Sequence, residues 1–243
     1  MPTVLILGAT SDIGFAIAKK FASAKYAVQL AGRSLTQLEP LVSDLAIRFE
    51  VPVTAHVFDV TDTTSHPTFY KNLPSPPDVT VCVVGYMKDN EKVILDPAET
   101  ARTIATNYSG PVSILNIISA DYASRKAGTI VGISSVAGLR GRQSNYIYGS
   151  AKAGFTAYLS GLRNRMFREK VHVVTVLPGF VNTKMTADLK LPKPLTAQPD
   201  EVAKSVFTAV VKKKNTIYSK WFWRWIMFVI TSVPEPIFKK KTL

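Results

Sequence analysis

Seven short apolar runs, near 3–8, 27–31, 52–58, 79–84, 128–134, 171–177 and 216–218, alternate with longer segments of helical period. Strands kept apart by helices cannot pair as hairpins; each must cross over and return parallel, by right-handed connections. The alternation predicts an α/β fold with a single doubly wound parallel sheet of the Rossmann type. Helical spacing is clearest near 97–126, 147–170 and 199–213. A chain of 243 residues with 47% hydrophobic content can bury one such core. No internal repeat or low-complexity stretch divides it, and Leu73-Pro74-Ser75-Pro76-Pro77 reads as a surface loop, not a linker.

The first strand, Val4-Leu5-Ile6-Leu7, runs directly into Gly8-Ala9-Thr10-Ser11-Asp12-Ile13-Gly14. Beyond it Ile13, Ala16, Ile17, Ala18 and Phe21 recur at helical spacing. Strand, small-residue turn and helix N-terminus together make an anion site, because free backbone N–H groups and the positive end of the helix dipole face the ligand.

A second constellation lies downstream. In Tyr148-Gly149-Ser150-Ala151-Lys152 the tyrosine and lysine stand at i and i+4, on one face of a helix. A nearby cation favours phenolate and is expected to lower the tyrosine pKa from about 10, which suits proton transfer. Ser135, placed at a strand end, could hold a substrate oxygen.

With these motifs in register, the chain resembles the short-chain dehydrogenase/reductase family over nearly its whole length. Gly8, Asp12 and Gly14 occupy the three glycine positions of that family's Gly-x-x-x-Gly-x-Gly turn, and Thr10, Ser11 and Ile13 lie within it. Asp59-Val60 is similar to its adenine-contacting pair. Asn107 matches the asparagine that completes a catalytic tetrad with Ser135, Tyr148 and Lys152. Pro178-Gly179-Phe180-Val181-Asn182-Thr183 matches its Pro-Gly-x-x-x-Thr segment, which implies that Val181 and Thr183 face the carboxamide and phosphates. The resemblance implies that Tyr148 protonates the forming alkoxide and that Ser135 orients that oxygen. It further implies that Lys152 binds the nicotinamide ribose while Asn107 holds a water linking Lys152 to solvent. Residues 182–199 are expected to cover the substrate as a lid.

Two positions depart from the pattern. Asp12 replaces the middle glycine and is expected to cap the helix, turned away from the cofactor. The family's Asn-Asn-Ala-Gly is here Cys82-Val83-Val84-Gly85, and of it only Gly85 remains. After the second strand comes Gly32-Arg33-Ser34. An acidic residue there would accept from a ribose 2′-hydroxyl, whereas Arg33 attracts a 2′-phosphate, with Ser11 and Ser34 supplying hydroxyls. NADPH is expected over NADH.

The formal net charge is +13. Nucleic acid is one class of partner for such a chain, but no nucleic-acid module is visible. The C-terminal segment instead interleaves bases with bulky apolar groups: Lys220-Trp221-Phe222-Trp223-Arg224-Trp225, then Ile226 to Ile230, closing on Lys239-Lys240-Lys241. That run is too short and interrupted to span about 30 Å of hydrocarbon. It suits an amphipathic helix in the headgroup region of an anionic membrane, or a helix buried at a lid or dimer interface. The predicted organisation is a catalytic domain over 1–219 and a separate tail over 220–243, with Trp221, Trp225 and Phe228 on one helix face and Ile226 and Val229 alongside.

Cys82, the single cysteine, reads as an inert core residue. The first strand begins too early for a signal peptide. A cytoplasmic protein held at the inner face of the cell membrane is expected, and a homo-oligomer. The scattered histidines suggest no metal. Within the family the ending is similar to reductases of lipid-linked keto-sugars. That implies a 2-keto group on a polyprenyl-phosphate pentose, made by a partner oxidase. A 3-ketodihydrosphingosine or other long-chain keto-lipid reductase, a soluble 3-oxoacyl reductase and an NADP(H)-sensing scaffold are the alternatives.

Overall fold

The computed structural model describes residues 1–187 and 191–241. Along the chain come β1 (Thr3–Leu7), α1 (Asp12–Ser23), β2 (Ala27–Gly32), α2 (Leu35–Phe49), β3 (Val53–Val57), α3 (His66–Lys71) and β4 (Val79–Cys82). Then follow α4 (Asn90–Val93), α5 (Pro97–Ile104), a π-helical turn (Ala105–Ser109), α6 (Gly110–Arg125), β5 (Thr129–Ile133) and α7 (Tyr146–Met166). The chain continues with β6 (His172–Pro178), α8 (Pro199–Val211), β7 (Thr216–Ser219), α9 (Trp223–Ser232) and α10 (Glu235–Phe238).

The strands form one 7-stranded sheet in the order β3-β2-β1-β4-β5-β6-β7, parallel at every pairing. Strands buried on both faces read as continuous apolar runs instead of alternating, and all five residues of β1 are buried. One apolar layer, including Ile17, Phe21, Leu38, Val202 and Val206, gathers α1, α2 and α8 on one face. The other, including Ile114, Ile118, Phe155 and Leu159, gathers α6 and α7. The Cys82 thiol lies within this second layer, where burial pushes it up to about 12. The strand order reverses between β1 and β4, and ligands in such sheets bind at the carboxyl edge of that crevice.

The helix expected over 97–126 runs unbroken from Pro97 to Arg125 but changes its winding midway. Pro111 has no N–H to give to the residue-107 carbonyl, and Gly110 N bonds to Ala105 O, closing a π turn around Asn107. Such turns widen a helix locally and place one side chain where an α-helix would not.

The boundary expected at residue 219 does not hold. Trp223 and Met227 are buried against Val136 and Leu177, with Phe180, Leu195 and Tyr218 packed around them. Helix α9 is therefore part of the catalytic body. The expected grouping of its faces is also corrected: Ile226 turns toward the body, while Trp221, Trp225, Phe228 and Val229 are exposed.

Candidate active site

The turn after β1 is a backbone cradle. Gly8 has φ +95°, and a Cβ there would meet Val84 at 3.0 Å. A Cβ on Gly14 would lie 2.4 Å from Gly8 O. Ser11 caps α1: its hydroxyl accepts from Gly14 N at 3.1 Å and donates to Gly8 O at 2.8 Å. The cap expected of Asp12 thus belongs to Ser11, whose extended backbone (φ −76°, ψ 152°) places it at the N-cap while Asp12 is already helical. Freed from that duty, the Asp12 carboxylate accepts from Lys184 N at 2.7 Å and ties the turn to the segment expected to form the lid.

Two adjoining clefts open here. The first, about 640 Å³, runs from Gly8, Thr10 and Ser11 past Gly32 and Arg33 to Phe58, Asp59 and Val60. Asp59 accepts from Thr61 N and Oγ1 at 2.9 and 2.7 Å. These bonds and the Arg33 charge hold its carboxyl below the usual range, against partial burial. Ser34, expected beside the same phosphate, pairs with Thr36 Oγ1 at 2.6 Å and is absent from the cleft wall. Arg102, which the sequence reading missed, lines this cleft and stacks on Tyr86 at 4.3 Å.

The second cleft, about 390 Å³, shares Thr10, Ser11, Gly85 and Met185 with the first. It brings together Asp12, Ile13, Ser135, Tyr148, Lys152, Pro178, Gly179, Val181 and Thr183. Ser135 stands two residues beyond β5, and its Oγ accepts from Ala137 N at 3.1 Å. Helix α7 delivers Tyr148 and Lys152, held to the end of β5 where Ser134 Oγ donates to Lys152 O at 2.9 Å.

Lys152 is 3% exposed, and its Nζ donates to Ile133 O at 3.1 Å, with the Tyr148 and Phe155 rings each 5.8 Å away. No carboxylate pairs with it among the described residues, and burial lowers its pKa to about 8. The expected lowering of Tyr148 is not found: burial pushes the phenol up to about 12, and interaction with the Ser135 hydroxyl opposes this only partly. Desolvation between the packed walls of this cleft outweighs a lysine that is itself poorly solvated.

Asn107 is fully buried beside the pair. A Cβ added to Gly85 would lie 3.5 Å from Asn107 Oδ1, 3.6 Å from Met185 Cε and 3.9 Å from Lys152 Nζ. Asn107 Oδ1 accepts from Tyr86 N at 3.2 Å, and its Nδ2 donates to the carbonyls of Tyr86 and Thr103 at 2.6 and 2.9 Å. It thereby fastens the segment that follows Cys82 and Val83, the two residues standing at the positions where the resemblance expected asparagines.

The tail closes the second cleft. Trp223 lines it, is 3% exposed, and donates Nε1–H to Leu195 O at 3.1 Å. Gly179 is required by this contact, since a Cβ there would fall 2.0 Å from the indole ring. Of the segment 182–199, Thr183 to Thr186 line this cleft and Asn182 N bonds to Ala197 O at 2.9 Å; its centre, 188–190, lies outside the described residues.

A doubly wound sheet carrying a phosphate-binding turn beside a half-buried serine and tyrosine and a buried lysine defines a dinucleotide-dependent oxidoreductase. Residues 2–193 match the family of short chain dehydrogenases. The chain is 30% identical over 240 residues to an uncharacterised oxidoreductase of Mycobacterium tuberculosis, covering 98% of this chain and 96% of that protein. It is 28% identical over 232 residues to an NADP-dependent 3-hydroxy acid dehydrogenase of Schizosaccharomyces pombe, covering 88% and 89%. A short-chain dehydrogenase from Sphingobium yanoikuyae, solved in complex with NADPH, has the same fold with a TM-score of 0.83 at 21% identity, each chain covered to 97%. The chain belongs to the short-chain dehydrogenase/reductase family.

Proposed function

We propose that the protein is an NADPH-dependent reductase that converts a ketone to an alcohol on a lipid-linked substrate, the 2-keto group of a polyprenyl-phosphate pentose being the specific assignment. The observation that carries the reductase reading is the convergence of Ser135, Tyr148 and Lys152 on a cleft continuous with the glycine turn.

The residues fit a nicotinamide dinucleotide. The turn leaves room for phosphates against backbone, and a buried lysine without a carboxylate suits ribose hydroxyls. When bound, that cofactor supplies the hydride. Ser135 holds the carbonyl oxygen and Tyr148 gives it a proton as charge develops there. The Lys152 cation stabilises the tyrosinate left behind, and solvent restores the proton. Asn107 keeps Tyr86, and with it the floor near Lys152, in place.

Arg33 selects the phosphorylated cofactor. A charge-assisted contact to a 2′-phosphate is worth about 1.5–3 kcal/mol. Arg33→Asp is therefore expected to weaken NADPH binding more than tenfold and to spare or improve NADH, as read by fluorescence titration. Equal losses for both would assign Arg33 to the fold.

The membrane part of the proposal rests on the outer face of the tail. Trp221, Trp225, Phe228, Val229 and Ile237 are 73, 59, 63, 62 and 52% exposed, with Arg224 and Lys239 to Lys241 exposed among them. Apolar groups rimmed by cations match an anionic lipid surface. Among the described residues no helix is long and apolar enough to cross a bilayer. Sedimentation with phosphatidylglycerol vesicles should show binding of the intact protein. Trp225→Ser with Phe228→Ser should reduce it at least tenfold while the melting temperature holds, since both side chains are exposed. Absence of binding in the parent would sink this part.

The substrate is tested directly. Purified protein and NADPH are incubated with a polyprenyl-phosphate keto-pentose and with long-chain keto lipids, and products are read by mass. Turnover of the keto lipids alone would replace the keto-sugar with the second lipid class.

A further inference from the structure

Arg142 sits on the loop leading into α7 and lines the same cavity as Ser135, Tyr148 and Lys152. Its Nε is buried without a hydrogen-bond partner. Its Nη2 reaches the Met227 sulfur at 3.6 Å, a weak acceptor. Among the described residues no carboxylate pairs with it. Among the described residues the acid in the cavity wall is Asp12, whose carboxylate is engaged by Lys184 N. Burial alone accounts for the lowered pKa of Arg142, yet a guanidinium keeps its charge at any ordinary pH.

A half-buried cation without a counter-ion is unfavourable, and the acceptors nearest in the fold go to Arg140, two residues before it. Arg140 Nη1 donates to the carbonyls of Ile230, Thr231 and Val233 at 2.9, 3.1 and 2.6 Å, and Nη2 to Glu235 at 2.9 Å. Its guanidinium also lies 3.7 Å from the Phe238 ring centroid. Arg140 takes the carbonyl acceptors at the end of α9, and Arg142 is left with only the Met227 sulfur from that helix. Asn145 lines the same cavity, and its Oδ1 is also buried without a partner. One cavity thus holds a guanidinium with no acceptor but a sulfur, its Nε unpartnered, and an unpaired amide oxygen beside the reacting groups.

We propose that Arg142 is a specificity-determining residue that binds an oxyanion of the substrate, a phosphoester or a carboxylate, close to the ketone, while Asn145 accepts from a substrate hydroxyl. The proposal rests on the ketone-reductase reading and narrows its substrate to anionic hydroxyketones. The planar fork of arginine meets two oxygens of such a group at once, which a point charge cannot.

Matched pairs of short ketones test this with the intact protein and NADPH: hydroxyacetone ethyl phosphodiester against its neutral triester, and levulinate against methyl levulinate. The wild type should prefer the anionic member of one pair at least tenfold in kcat/KM, mainly through KM, and the pair preferred identifies the oxyanion. Arg142→Gln should bring that ratio to within about threefold of unity, with part of it restored in Arg142→Lys. No preference in the wild type, or an equal fall for both members of a pair, would overturn the assignment. Calorimetry separates this from failure of the reductase reading. The alcohol products, 1,2-propanediol ethyl phosphodiester and 4-hydroxypentanoate, are titrated into the protein–NADP+ complex. Binding of either that weakens tenfold in Arg142→Gln, without any ketone turnover, keeps the anion site and removes the reductase. Turnover with neither preference nor binding dependence does the reverse.

Discussion

Tyr148→Phe should lower kcat for ketone reduction by about 10²–10⁴-fold, the usual contribution of a positioned general acid, while the dissociation constant for NADPH changes less than threefold. The substitution removes one oxygen from a ring enclosed by the cleft and leaves its packing. Wild-type-like turnover in that variant would remove Tyr148 from the chemistry. The pH profile carries a second expectation. Reduction needs Tyr148 protonated, and burial holds it so up to about 12. It also needs the Lys152 cation, which burial weakens to about 8. With NADPH as the varied substrate, kcat/KM reports groups of the free enzyme. It should be level on the acid side and fall above about pH 8, as Lys152 loses its proton before Tyr148 does. A profile level to pH 10 would mean that the lysine charge is not needed.

Trp223→Ala should be the most destabilising single change in the tail. Emptying a packed indole site costs about 3–5 kcal/mol, and the variant also leaves Leu195 O without its donor. For a chain of this size that corresponds to a fall in Tm on the order of 10 °C. Because the ring stacks edge-on to Phe180 at 5.3 Å and lines the substrate cleft, kcat/KM should fall with it, even for a short soluble ketone. Truncation after Tyr218 goes further, removing Met227 from beneath Arg142 and the carbonyls that hold Arg140. The sequence alone predicts that such a truncated protein still reduces a short analogue. The structure leads to the opposite expectation: a lower melting temperature and little turnover. An unchanged Tm with unchanged turnover of a short ketone would return the tail to the role of a detachable anchor.

What is local in the chain was legible from its order. The seven apolar runs, the glycine turn and the tyrosine–lysine spacing each depend on neighbours a few residues away, where strand and helix periods act. They determined the parallel sheet, its crevice and the side chains that meet there. What depends on distant contact was not legible. Asp12 could be seen to stand near a helix start, but that it reaches Lys184 follows from a segment 172 positions away folding over it. The departures of Tyr148 and Lys152 from their ordinary values are set by how far the packed cleft walls desolvate them, a property of packing that spacing does not encode. Arg142 carries no motif; it becomes a candidate only because Arg140 occupies the tail and, among the described residues, no acid pairs with it. The tail itself shows amphipathic character in sequence, yet which stripe faces inward was decided by Gly179. A side chain there would collide with the Trp223 ring, and with that ring seated Trp225 and Phe228 face outward.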